Sequence, residues 1–150
     1  MPRIELTTRV AAPPERCFDL STDLDLHLRS MTHTGEEAVA GRTSGLIALG
    51  EEVTWRARHF GVVHEHSSRI TAFDRPKHFR DSMVAGRFRK FEHDHFFGSD
   101  GTDTVMTDML DFEAPFGVVG RVVSALFLRH YLARLLEQRN AIIKHEAERS

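Results

Sequence analysis

The sequence has very little cysteine. Cys17 is the single cysteine, so no internal disulfide can form. A chain that folds without disulfides suits a reducing compartment, so we expect a cytoplasmic protein in which Cys17 is a small buried side chain of a helix. No segment reaches the ~20 consecutive apolar residues that a membrane span needs. The N-terminal stretch MPRIELTTRV also lacks the apolar run of a signal peptide, so neither secretion nor membrane insertion is expected.

An excess of charge of one sign is also missing. The 20 basic and 22 acidic residues are interspersed and give a net charge of −2. Nucleic-acid binding needs lysine and arginine clustered on one face, so we do not expect a nucleic-acid partner. Internal repeats, low-complexity tracts and linkers are missing too. Residues 1–150 are therefore expected to form one domain.

The first two thirds of the chain carry the signals of strands and two short helices. RIELTTRVAA predicts a first strand, and the paired prolines that follow it predict the start of a helix. Thr22 or Asp23 would cap a second short helix, and a short strand is expected at about 36–40. Five further strand candidates with short connections predict an antiparallel meander. They are EEVTWRARHF, VVHEHSSRITAF, HFRDSMVA, RFRKFEHDHFF and TDTVMTDMLDF.

The last part of the sequence is different, because FGVVGRVVSALFLRHYLARLLEQRNAIIKHEAE predicts one long C-terminal helix. Its first half is apolar on more than one face, which indicates burial on two sides. The element order predicts an α+β helix-grip fold. In this fold, a curved antiparallel sheet of six to seven strands wraps around the C-terminal helix, and two short helices follow the first strand. The predicted apolar stripe of the helix consists of Val118, Val122, Ala125, Leu128, Leu132, Leu135 and Ile142.

Alternation along the strands predicts polar side chains on the inner face of the sheet. In EHDH, His93 and His95 share the inner face, and Asp94 points outward. Hairpin turns at Arg87 and at GSDG would place Asp81 opposite His93, His93 near Asp108, and His95 near Met106. The sequence therefore predicts a buried cluster of Asp81, His93 and Asp108.

The sequence resembles the SRPBCC superfamily, also called START-like or Bet v 1-like, which includes polyketide cyclases and dehydrases. The resemblance rests on AAPPERCFDLSTDLDLH, ITAFDRPKHF and YLARLLEQRNAIIKHE, and it covers nearly the whole chain. It implies a deep cavity between the sheet and the last helix. The functions it implies range from lipid and hormone binding to aromatase/cyclase activity, with no shared catalytic residue. Bacterial stand-alone proteins are the members that look most similar.

The function we predict is the binding of a small, largely apolar molecule in that cavity. An alternative is a cyclase or dehydrase that uses His93 as a general acid/base. A third is a protein-interaction module that uses the apolar start of the last helix, and a homodimer also stays open. The residues predicted to contact the ligand are Trp55, His59, His66, Ser68, Asp81, Met83, His93, His95, Met106, Asp108, Leu128 and Leu132.

Two H-x-H pairs raise the question of a metal site. His64 with His66 and His93 with His95 could ligate zinc or iron from one concave face. This pattern alone is a weak signal, because buried histidines more often hydrogen-bond to other polar groups. We therefore expect no metal and no cofactor, and a melting temperature that a chelator leaves unchanged.

Overall fold

The structure is a computed structural model that describes residues 3–114, 117, 122 and 124–149. Its described residues include the α-helices α1 (Pro14–Ser21), α2 (Leu24–Ser30) and α3 (Arg129–Glu148). The strands are β1 (Arg3–Val10), β2 (Glu37–Gly41), β3 (Glu52–His59), β4 (Val62–Asp74), β5 (His78–Ala85), β6 (Lys90–Asp100) and β7 (Asp103–Glu113).

The seven strands form one antiparallel sheet in the order β1-β7-β6-β5-β4-β3-β2. Strands β2 to β7 form a meander, and β1 pairs with β7 at the far edge. The sheet wraps around α3, which packs against β1 and α1. The helix-grip fold predicted from the sequence is confirmed.

The two short helices begin where local chemistry favours a helix start. Pro13 is the extended residue before α1, and Pro14 occupies its first turn, where a missing N–H leaves no hydrogen bond unmade. At α2, the Asp23 carboxylate accepts hydrogen bonds from the backbone N–H groups of Asp25 and Leu26. The two short helices bring the chain back beside the concave face of the sheet, so that α2 contributes to the wall of the interior.

One end of the interior is a solid hydrophobic core around Phe18. The Phe18 ring packs on those of Phe73, Phe79 and Phe97, with centroids 5.2, 5.3 and 5.3 Å away. Such edge and tilted arrangements are the ones aromatic rings favour. Cys17 is also fully buried here, as predicted. The other end of the interior is not filled.

The C-terminal helix is described only in part, and its start differs from the prediction. Of the predicted span, residues 116, 118–121 and 123 lie outside the described residues, as do the side chains of Ser124 and Ala125. The segment Ser124–Leu128 is a π-helical turn, and the regular α-helix begins at Arg129. Within the described residues, no helix is long and apolar enough to cross a membrane.

The buried face of α3 is also displaced from the predicted stripe. Ile142 is 37% exposed, whereas its neighbour Ile143 is only 2% exposed, so the prediction was wrong at Ile142. The physical reason is that two polar side chains, Arg139 and Asn140, occupy the buried face and interrupt its apolar pattern. The buried residues of α3 are Leu136, Arg139, Asn140, Ile143 and Ala147.

Candidate functional site

A cavity of about 400 Å³ lies between the concave face of the sheet and α3. Apolar side chains from the sheet and from α3 supply most of its wall, among them Val53, Ile70, Leu110, Leu132 and Leu136. Its volume falls in the range of small-molecule sites. Polar side chains are interspersed in this wall on β3, β4, β5 and β6.

Most of the predicted ligand contacts line this cavity. The sheet brings the predicted strand residues together because alternate residues of neighbouring strands share the concave face. The predicted residues in the wall are Trp55, His59, His66, Ser68, Asp81, His93, His95, Leu128 and Leu132.

Met83, Met106 and Asp108 do not line the cavity, which corrects the prediction for these three. Met106 is 3% exposed and belongs to the solid core around Phe18. Asp108 lies behind His93 and His95, which separate its carboxylate from the open space. The sulfur of Met83 lies over Gly86, close to the β5–β6 turn.

A network of six polar side chains, called here the polar cluster, lies at the base of the cavity. It consists of Asp81, His93, His95, Asp108, Arg139 and Asn140. His93 Nε2 donates to Asp108 Oδ1 at 2.8 Å, and His95 Nε2 donates to Asp81 Oδ2 at 2.8 Å. Asn140 Nδ2 donates to Asp108 Oδ2 at 2.6 Å, and Arg139 Nη1 lies 3.7 Å from Asp108 Oδ1. The buried carboxylate of Asp108 is therefore bonded from both the sheet and α3.

The pairing inside the polar cluster differs from the predicted pairing. Asp81 does lie opposite His93, as predicted, but its hydrogen bond comes from His95. On β7, His95 pairs with Asp108 and His93 with Leu110, a shift of two residues from the predicted register. The reason is the turn: β6 and β7 pair as far as Asp100 with Asp103, so the turn is centred one residue further along the chain than predicted. A shift of two keeps every side chain on its predicted face.

The ionisable groups of the polar cluster have displaced pKa values. Burial alone would raise the pKa of Asp81, but the hydrogen bond from His95 and, at the acid pH where Asp81 titrates, attraction to His93, His95 and Arg139 outweigh it and lower this pKa to about 2. Burial also opposes ionisation of Asp108, yet hydrogen bonds from His93 and His95 hold its pKa well below the usual range. The pKa of His93 is lowered by burial and by the neighbouring His95. Both carboxylates are therefore ionised at neutral pH, and His93 is uncharged.

Three side chains of the polar cluster have the donor types of a metal site. One ligand atom from each of Asp81, His93 and His95 lies within 4.8 Å of the others. Two imidazoles and a carboxylate are ligands that zinc and iron accept. In this arrangement the Nε2 atoms of both histidines are bonded to carboxylates, so a metal held at Nε2 would have to replace those hydrogen bonds.

Aromatic residues join the β3–β4 turn to the start of α3 at another part of the cavity wall. His59 Nδ1 is hydrogen-bonded to the Tyr131 hydroxyl at 2.6 Å. The Phe60 ring packs on Tyr131 and Phe127, with centroids 4.6 and 5.5 Å away. Phe60 and Gly61 both have positive φ, as a two-residue hairpin turn requires. Sequence reasoning did not find Phe60 or Tyr131, because a phenylalanine is an unusual residue for such a turn.

Comparison with known proteins agrees with this architecture. The sequence model of one family, described as polyketide cyclase / dehydrase and lipid transport, matches residues 1–148. The chain belongs to the polyketide cyclase/dehydrase and lipid transport family. The resemblance to the SRPBCC, or START-like, superfamily predicted from the sequence is thereby confirmed. A search of curated proteins finds no significant match.

Several solved structures share the fold of this family member at low sequence identity. A protein from Thermus thermophilus is 20% identical with a TM-score of 0.75, over 98% of this chain and 100% of that one. A START superfamily protein from Mycobacterium smegmatis is 16% identical with a TM-score of 0.73, over 97% of each chain. An aromatase/cyclase from Streptomyces sp. R1128 is 18% identical with a TM-score of 0.68, over 99% of this chain and 94% of that one. At these identities the likeness concerns the fold alone.

Proposed function

We propose that this protein binds a small, largely apolar molecule in the cavity between the sheet and α3. The observation that carries the proposal is the unfilled space of about 400 Å³ with a mainly apolar wall and a polar base. An apolar wall of this kind favours a ligand that buries hydrocarbon, and the polar groups would orient it. The family's description, which names lipid transport, supports the same proposal. A cytoplasmic location, which the lone buried Cys17 supports, is part of it.

Filling the cavity is the direct test. Ser68 is 6% exposed and lines the cavity, so Ser68→Trp would place an indole inside it. We expect this variant to lose binding of a neutral apolar fluorescent probe such as N-phenyl-1-naphthylamine, measured by titration, while circular dichroism stays that of the wild type.

The matched control is Ser67→Trp, because Ser67 is the preceding residue and its hydroxyl bonds to Thr54 on the outer face. That variant should keep probe binding. If Ser68→Trp binds the probe like the wild type, the cavity is not the binding site. The exposed apolar residues of the π-helical turn before α3, Leu126 at 77% and Phe127 at 56% exposure, would then favour an interaction module.

A second candidate function is a cyclase or dehydrase reaction. The observation in its favour is that His93 and His95 both line the cavity and each bonds to a carboxylate, as a general acid/base often does. Likeness in fold to an aromatase/cyclase adds support. Conversion of a poly-β-ketone chain by the wild type, and its loss in His93→Gln and His95→Gln, would establish this candidate. Absence of turnover with intact probe binding would leave binding as the function.

A further inference from the structure

We infer that the cavity selects an apolar molecule with a neutral hydroxyl group, which donates a hydrogen bond to Asp81, and that it rejects the matching carboxylate. This inference rests on the proposed function and adds the chemical class of the ligand. The inference is based on three polar side chains of the wall that can form further hydrogen bonds. These are His66, Ser68 and Asp81.

Asp81 has room for another hydrogen bond. Its side chain is 23% exposed and lines the cavity, and among the described residues it accepts one side-chain hydrogen bond, at Oδ2 from His95. A carboxylate has about four acceptor positions on its two oxygens, so acceptors are left over. Because its pKa is lowered to about 2, the group accepts hydrogen bonds and does not donate them at neutral pH.

Ser68 and His66 are also without a side-chain partner among the described residues: Ser68 is a diagonal neighbour of Asp81, and His66 lies two residues before Ser68 on β4, beside Gly86. Neither forms a side-chain hydrogen bond with another described residue, although Ser68 is only 6% exposed. Ser68 pairs with Met83 on β5, two residues from Asp81, which makes Ser68 and Asp81 diagonal neighbours. Diagonal neighbours lie roughly 7–8 Å apart between Cα atoms, so one oxygen placed between them can bond to both side chains.

A hydroxyl group matches Asp81 and Ser68 better than a charged group does. It can donate to Asp81 and accept from the Ser68 hydroxyl in the same position. Burial lowers the pKa of His66, so the imidazole is uncharged and offers one donor and one acceptor. Buried polar groups without partners are destabilising, and a hydroxyl ligand would give Asp81 and Ser68 a partner.

Charged head groups are disfavoured at this position. A carboxylate has no proton to donate to Asp81, so two acceptors would face each other. An ammonium would lose hydration in a mainly apolar cavity, while Arg139 and the hydrogen bond from His95 already offset the charge of Asp81. The exposed Arg87 lines the cavity too, so a carboxylate ligand would have to turn its head outward to that guanidinium.

The test uses four probes on one skeleton: naphthalene, 2-naphthol, 2-naphthoate and 2-(aminomethyl)naphthalene, titrated at neutral pH by calorimetry. We expect wild-type protein to bind 2-naphthol at least about tenfold more tightly than each of the other three, as a hydrogen bond to a charged acceptor predicts. In Asp81→Asn, the discrimination between 2-naphthol and 2-naphthoate should fall several-fold. In Ser68→Ala, 2-naphthol should bind more weakly while naphthalene is unaffected, and Ser67→Ala serves as the control without effect.

The outcomes separate this inference from the proposed function. Equal binding of all four probes, or tighter binding of the amine or the carboxylate, would overturn the hydroxyl assignment and leave the apolar binding site standing. If 2-naphthoate binds tightly and Arg87→Gln abolishes that binding, the head group faces outward and the inference is wrong. If none of the four binds, both the proposed function and the inference fail. Should Asp81→Asn not fold, the Ser68→Ala comparison decides between these results.

Discussion

Asp108 shows how one buried charge can be made compatible with a folded interior. Its side chain is 4% exposed, and it accepts hydrogen bonds from His93 and Asn140 with Arg139 close by. An isolated ionised carboxylate in such a place would be strongly destabilising. The surrounding donors offset that penalty. Asp108 in turn orients the imidazole of His93, which lines the cavity.

Removing the Asp108 carboxylate should therefore cost a large share of the stability. In Asp108→Ala, His93, Asn140 and Arg139 lose their shared acceptor, and breaking a buried pair of this kind costs about 3–5 kcal/mol. Urea unfolding followed by circular dichroism would measure the change. Asp111→Ala is the matched control, since Asp111 lies on the opposite face of β7 and bonds to the exposed Arg3. Comparable losses in the two variants would contradict the role given to Asp108.

At the scale of elements, strand faces were predictable and the buried face of α3 was not. On β7, buried residues alternate with partly exposed ones along the whole strand, so parity alone places Asp108 inside. On α3 the apolar period is broken by Arg139 and Asn140, whose burial depends on partners elsewhere in the chain. A local pattern contains no information about those partners. The wrong pairing of His93 and His95 has a separate cause, a β6–β7 turn centred one residue further along the chain than predicted.

The corrected face of α3 makes a specific prediction. Ile143 is 2% exposed within the main hydrophobic core, whereas the adjacent Ile142 is 37% exposed. We expect Ile143→Ala to lower the free energy of unfolding by about 2–5 kcal/mol, because it leaves a cavity in packed surroundings. Ile142→Ala should change it by about 0.5 kcal/mol or less. Chemical denaturation would measure both changes. A larger loss in Ile142→Ala than in Ile143→Ala would favour the buried stripe predicted from the sequence.

For the whole molecule, the displaced pKa values predict that acid is destabilising in two stages. Burial lowers the pKa values of His59, His66 and His93 below 6.5, so beneath that pH the unfolded chain takes up protons that the folded chain does not. Between 3.8 and about 2, the same holds for Asp81. We expect the melting temperature to fall below pH 6.5 and to fall again below about pH 4.

Differential scanning calorimetry across this pH range would measure the effect. In His66→Gln the first decline should be shallower, since one of the three buried imidazoles is gone. A melting temperature that rises on acidification from neutral pH to 5 would contradict the assignment of these histidines as uncharged in the folded protein.

Much of the whole molecule was nevertheless predictable. The antiparallel meander, the helix-grip arrangement and the presence of polar groups on a concave face all follow from the alternation of side chains, the turn residues and the element lengths. The contacts of the β3–β4 turn with α3 could not be predicted, because Phe60 and Tyr131 are 71 positions apart and neither position has a local signal. Which side chains contact the ligand depends on side-chain direction in three dimensions, and three of the twelve predicted contacts fell outside the wall for that reason.

The position of Asp108 in the chain also has a consequence for the order in which the protein assembles. His93 is 15 residues away and can reach Asp108 as soon as the β6–β7 hairpin closes. Asn140 is 32 residues from Asp108, and its second bond, to Thr8, spans 132 residues. Contacts across such long loops form late, because the entropy of closing the loop opposes them until other contacts are in place. Water must therefore stay bonded to one oxygen of Asp108 until α3 docks and Asn140 takes its place.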